Sequence, residues 1–87
     1  KMRKIFSESA WADYLSWQEN DKKILKRINL LLKDIDRNQF DGLGKPEPLK
    51  GNYSGWWSRR IDDGHRLVYR IKDDFIEIYQ CRGHYDD

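Results

Sequence analysis

One stretch of this chain carries apolar residues at helical spacing more clearly than any other. Ile24, Leu25, Ile28, Leu31, Leu32 and Ile35 fall on one face of a helix, and Lys22, Lys23, Lys26, Arg27 and Lys33 fall on the other. Asp21 stands where it can cap this helix. An earlier helix is predicted through Trp11, Tyr14, Leu15 and Gln18. Ser7 or Ser9 can cap it, Glu8 suits its positive end, and Asn20 and Asp21 break it. The two helices read as an α-hairpin preceded by a short strand at Arg3–Phe6.

The pattern then changes. Residues 38–53 are loop-like, punctuated by Gly42, Gly44, Pro46, Pro48 and Gly51. Three strand-like runs follow at 55–61, 66–71 and 75–82, with turns at 62–64 and 72–74. This order of elements predicts one α+β domain over residues 1–87, with no internal repeat or linker.

The first hairpin has two possible registers. A two-residue loop at Asp63 and Gly64 would set Arg60 opposite Leu67 and mix charge with apolar groups on both faces. A three-residue loop of Asp62, Asp63 and Gly64, with Gly64 left-handed, puts Trp57, Ile61, Leu67, Tyr69 and Ile71 on one face. It puts Arg60, Arg66 and Arg70 on the other. The second register separates core from charge, and it builds a basic patch that composition alone hides.

Composition narrows the classes. The chain has 87 residues, 38% hydrophobic and 37% charged, with four Trp, five Tyr and three Phe, enough for a small core. A net charge of +2 permits nucleic-acid binding without requiring it. The single cysteine, Cys81, excludes an internal disulfide and suits a reducing compartment. No apolar run is long enough to cross a membrane, and no apolar signal-peptide core opens the chain, so a cytoplasmic location is expected. Two separated histidines and one cysteine do not make a zinc site, and no glycine-rich phosphate loop joins a strand to a helix. No metal or cofactor is expected.

Four places can carry chemistry. Glu47 lies between Pro46 and Pro48, and the prolines restrict its backbone. A rigidly held carboxylate suits a general base; the plainer alternative is a stiff surface loop. Arg59, Arg60, Arg66 and Arg70 could hold phosphate, or form a solvated face with cross-strand ion pairs. His84 and Tyr85 follow the last strand, where a histidine can exchange a proton and a tyrosine can stack on a base; the alternative is a frayed tail. Trp56 would share the arginine face and could meet a base or a partner. His65, beside a turn, reads as a turn or structural residue, and Cys81 as core.

Taken together these segments resemble the YoeB branch of the RelE-type toxins. The resemblance rests on Ser9-Ala10-Trp11 with Tyr14, Trp17-Gln18, Asp21-Lys22-Lys23, GLGKPEPLK at 42–50, WSRRI at 57–61, HRLVY at 65–69 and His84-Tyr85, in that order. It covers nearly the whole chain. It implies a RelE-like fold, with two N-terminal helices on a twisted, mostly antiparallel sheet of about four strands.

It also implies a ribosome-dependent, metal-independent endoribonuclease that cleaves mRNA in the A site. Glu47, Arg66, His84 and Tyr85 would take catalytic positions, and Lys50 and Arg60, with Arg59, would bind phosphate. The implied partners are a YefM-like antitoxin, the ribosome with its mRNA, and operator DNA bound by the toxin–antitoxin pair; a homodimer is left open. Asp86 and Asp87 follow the tyrosine at which such chains typically stop, and carboxylates there would oppose RNA phosphate. Sequence leaves the roles of Glu47 and His84 exchangeable. A second function implied by the same fold family is poisoning of DNA gyrase by binding, which would not need Glu47, His84 and Tyr85 together.

Overall fold

The computed structural model describes residues 2–84. Strand β1 (Arg3–Phe6) leads into helix α1 (Glu8–Asn20), and α1 into α2 (Lys22–Arg37). Ser7, rather than Ser9, caps α1, accepting a hydrogen bond from the Ala10 amide at 3.0 Å. Asp21 ends α1 and caps α2 through the amides of Lys23 and Ile24. One residue therefore makes the tight hairpin that the breaker positions predict.

Four strands follow: β2 (Glu47–Pro48), β3 (Trp57–Arg60), β4 (Arg66–Lys72) and β5 (Phe75–Gln80), with a 3₁₀ turn at Gly51–Tyr53. The sheet order is β1-β5-β4-β3-β2. All neighbours are antiparallel except β1, which runs parallel to β5. The sheet thus has five strands rather than about four. The extra one, β2, is two residues long and lies inside the segment expected to be loop.

The β3–β4 hairpin takes the charge-separating register, with Trp57 opposite Tyr69 and Arg60 opposite Arg66. Ile28, Leu31, Leu32 and Ile35 of α2 form the core with Ile61, Leu67, Tyr69, Ile76 and Ile78, and Trp57 and Ile71 pack against it. The turn differs in one detail. Gly64 is not among the residues at positive φ. The Asp62 carboxylate accepts from the Gly64 amide at 2.9 Å, and the His65 carbonyl accepts from both Ile61 and Asp62. A side-chain acceptor thus closes the loop without a left-handed glycine.

Candidate active site

The arginine face of the sheet opens into a cleft of about 420 Å³ at the β2 edge. Its lining includes Lys45, Glu47, Lys50, Arg60, Arg66 and His84. The structure therefore brings together five residues from three separate stretches of the sequence: Glu47 and Lys50, Arg60 and Arg66, and His84. Tyr85, expected beside His84, lies outside the described residues, as do Asp86 and Asp87.

Each side chain has an identifiable support. Glu47 sits on β2, paired with Ser58. Pro48 biases Glu47 toward an extended backbone, and β3 supplies the edge it docks on. The approach to β2 is tightly built. The Gly44 carbonyl accepts from the Arg60 amide at 2.6 Å, with Gly44 at φ +80°. A Cβ there would lie 2.9 Å from the Arg60 carbonyl oxygen and 3.0 Å from Leu31 Cδ2, so only glycine fits. Lys45 follows at φ +50°, a left-handed conformation that disfavours an ordinary side chain by about 1 kcal/mol.

Arg60 and Arg66 face each other across the β3–β4 ladder. Like charges directly opposite are unfavourable. Among the described residues no ion pair neutralises either one. Arg66 Nη1 donates to the carbonyls of Asp62 at 2.6 Å and His65 at 3.0 Å, which aims the guanidinium and leaves its charge uncompensated. With Lys45 and Lys50, four cations line the cleft beside one carboxylate, Glu47, among the described residues. Such a lining attracts a polyanion.

Arg59 does not join this set. It is fully buried on the opposite side of β3, with Trp57 and Ile61 as neighbours on that face. Its Nη1 donates to Asp34 at 2.6 Å and to the Leu43 carbonyl at 3.1 Å. Nη2 donates to the carbonyls of Asp41 and Asn38, and Nε to the Tyr69 hydroxyl. The hydrogen bond from Arg59 holds the Asp34 carboxyl below its ordinary value of 3.8. The expectation that Arg59 binds phosphate is thus corrected: strand alternation turns it inward, where it clamps the loop leading to β2. Arg70 is also outside the cleft. It pairs with Glu77 at 2.8 Å and lies over the Trp56 ring at 4.5 Å, so Trp56 meets an arginine and Tyr79.

The segment after β5 is held by several contacts. The Cys81 amide donates to Asp13, and the Cys81 carbonyl accepts from Trp17 Nε1 at 2.9 Å. The Gly83 carbonyl accepts from the Arg66 amide at 2.9 Å, and the Gly83 amide donates to His65 Nδ1 at 2.8 Å. His84 therefore reaches the cleft from an anchored backbone. Burial pushes the Cys81 thiol up to about 12, with the Asp13 charge adding to it, which fits a core role and not a nucleophile.

Lys45 and Ser58 are lining residues that the sequence reading missed. Ser58 was within reach, since it alternates with Arg60 along β3. Among the described residues no group of three or more His, Cys, Asp and Glu is arranged to hold a metal ion.

Two helices over an open five-stranded mixed sheet, with a basic cleft at one edge, define the RelE-like α+β fold of small bacterial toxins. A YafQ structure from Escherichia coli shares this fold, with a TM-score of 0.78 at 16% identity. The particular family follows from closer matches. The chain belongs to the YoeB-like toxins of bacterial type II toxin–antitoxin systems, whose family model matches residues 6–85. It is 62% identical to a YoeB toxin of Synechocystis over 97% of this chain and 98% of that one. It is 60% identical to the Escherichia coli K12 YoeB toxin over 97% and 100%. Among solved structures, a YoeB/ParE toxin from Agrobacterium tumefaciens superposes with a TM-score of 0.95 at 46% identity, covering 97% of this chain and 100% of that one. A Staphylococcus aureus YoeB–YefM complex gives 0.91 at 50%, covering 98% and 99%.

Proposed function

We propose that this toxin is a metal-independent endoribonuclease that cuts mRNA in the ribosomal A site and so arrests translation. One observation carries the reading: Glu47, Arg66 and His84 line a single cleft whose remaining charge, among the described residues, is cationic. Glu47 takes the proton from a ribose 2′-hydroxyl. The 2′-oxygen then bonds to the adjacent phosphorus as the bond to the 5′-oxygen breaks, and His84 protonates the departing oxygen. Arg66 bears the charge that builds on the phosphorane, with Arg60 and Lys50 assisting. Tyr85 orients the phosphate or stacks on a base. The products are a 2′,3′-cyclic phosphate, which can open to a 3′-phosphate, and a 5′-hydroxyl end.

Restraint by a YefM-like antitoxin is part of the same proposal, supported by the Staphylococcus aureus complex of a YoeB with YefM. Homodimer formation is supported by a Staphylococcus aureus YoeB solved as a dimer. Operator DNA is the partner of the toxin–antitoxin pair, and the cytoplasm, where mRNA is translated, is its place of action. Among the described residues no helix is long and apolar enough to cross a membrane.

Primer extension on mRNA translated in vitro tests the mechanism. Wild-type protein is expected to leave fragments with 5′-hydroxyl ends, and His84→Ala to slow cleavage by about 10²–10⁴-fold. Undiminished cleavage by that variant, or fragments with 5′-phosphates, overturns the scheme.

A further inference from the structure

We propose that His65 is a positioning residue: its Nδ1 latches the Gly83 amide and thereby fixes His84 in the cleft beside Arg66. The inference rests on the nuclease reading for its consequence and on hydrogen-bond geometry for its substance.

The β4–β5 ladder ends at Val68 and Gln80, just after a register shift at Val68 and Tyr69. Beyond that point the chain must be held by other means. Gly83 is gripped twice, at its carbonyl by the Arg66 amide and at its amide by His65 Nδ1. Both contacts come from consecutive residues at the start of β4, and Gly83 turns between them at φ +84°. The next residue is His84. Loosening either contact frees the last backbone bonds before the proposed acid.

The latch also has a built platform. The His65 ring meets the Trp17 ring edge-on, with centroids 4.8 Å apart and planes at 76°. Trp17 is buried, and its Nε1 holds the Cys81 carbonyl. The Arg82 guanidinium lies 5.3 Å from the Trp17 ring centroid. The platform therefore holds residues 81, 82 and 83 in succession. An acid that must sit within hydrogen-bond reach of a leaving oxygen benefits directly from such ordering.

The bond requires a lone pair on Nδ1, so the neutral ring carries its proton on Nε2.

Two substitutions separate the latch from simple packing. His65→Phe keeps an aromatic ring against Trp17 and has no acceptor. His65→Asn places an amide oxygen near the position of Nδ1. The measurements are ¹⁵N relaxation of the Gly83 and His84 amides, and kcat and KM for ribosome-bound mRNA. The phenylalanine variant is expected to show a more mobile Gly83 and His84 and about a tenfold lower kcat, with KM unchanged. The asparagine variant should keep both amides ordered and kcat within about threefold of wild type, the residual loss being less than one hydrogen bond.

Unchanged amide dynamics in His65→Phe, or equal loosening in both variants, overturns the latch. A loosened tail with undiminished kcat overturns the positioning role. If wild-type protein cuts no mRNA, the nuclease reading falls, and the relaxation data decide the latch alone.

Discussion

Arg59 and Arg60 are neighbours in sequence and opposites in structure. Arg59 is fully buried, and its guanidinium is satisfied by a carboxylate, three carbonyls and a hydroxyl. Arg60 is exposed and faces another arginine with no carboxylate paired to it among the described residues. The strand's two-residue alternation makes the difference. Charge that is neutralised inside holds a loop in place. Charge left unneutralised at the rim costs the fold something and, on the proposed reading, is kept for a ligand. On that reading the uncompensated cations, and not the count of cations, mark the working face.

The comparison can be broken from the buried side first. Asp34→Ala strands Arg59 without its counter-charge and should cost about 3–5 kcal/mol in urea denaturation. A loss below 1 kcal/mol would mean that the carbonyls alone satisfy Arg59. On the open side, Arg60→Ala should leave stability within about 0.5 kcal/mol of wild type, because it removes a like-charge neighbour of Arg66. It should lower mRNA cleavage by about 10–100-fold, the worth of one charge-assisted contact. Equal damage to stability and cleavage would erase the distinction between the two arginines.

The smallest effect concerns acid. The Asp34 carboxyl sits below its ordinary value in the folded chain, so the stability it contributes is complete above about 3.8. That stability is lost as pH falls through the lower folded value. Wild-type melting temperature should therefore drop more steeply below pH 4 than that of Asp34→Asn, and parallel curves would remove Asp34 from the account.

Much of this architecture was legible in the residues. The period of α2 and the charge-separating register of β3 and β4 both follow from where apolar groups must go. That register also puts residue 59 on the same face as Trp57 and Ile61, so the inward turn of Arg59 could have been read. Arginine is so seldom buried that its outward placement was the natural expectation. Its partners lie in residues 34–43, and no local pattern announces that pairing. β2 was invisible for a different reason. Two residues, Glu47 and Pro48, are too few to show alternation, and they form a strand only because β3 presents an edge. The parallel partnership of β1 with β5 is equally non-local. Of the candidate site, residue types alone offer Glu47 and His84 as separate possibilities; the family resemblance groups them with Arg66, and the fold sets all three on one cleft.

The pairing of β1 with β5 has a consequence in time. It joins residues 3–6 to residues 75–78, so the first strand made waits for the last. Closing so long a span is slow compared with forming the α-hairpin. During synthesis the helices can assemble early, while the sheet stays incomplete at the edge that β5 will fill. His84 comes later still. A nascent chain therefore carries a scaffold and no finished cleft, so that, on the proposed reading, the order of translation itself delays the moment at which the toxin can act.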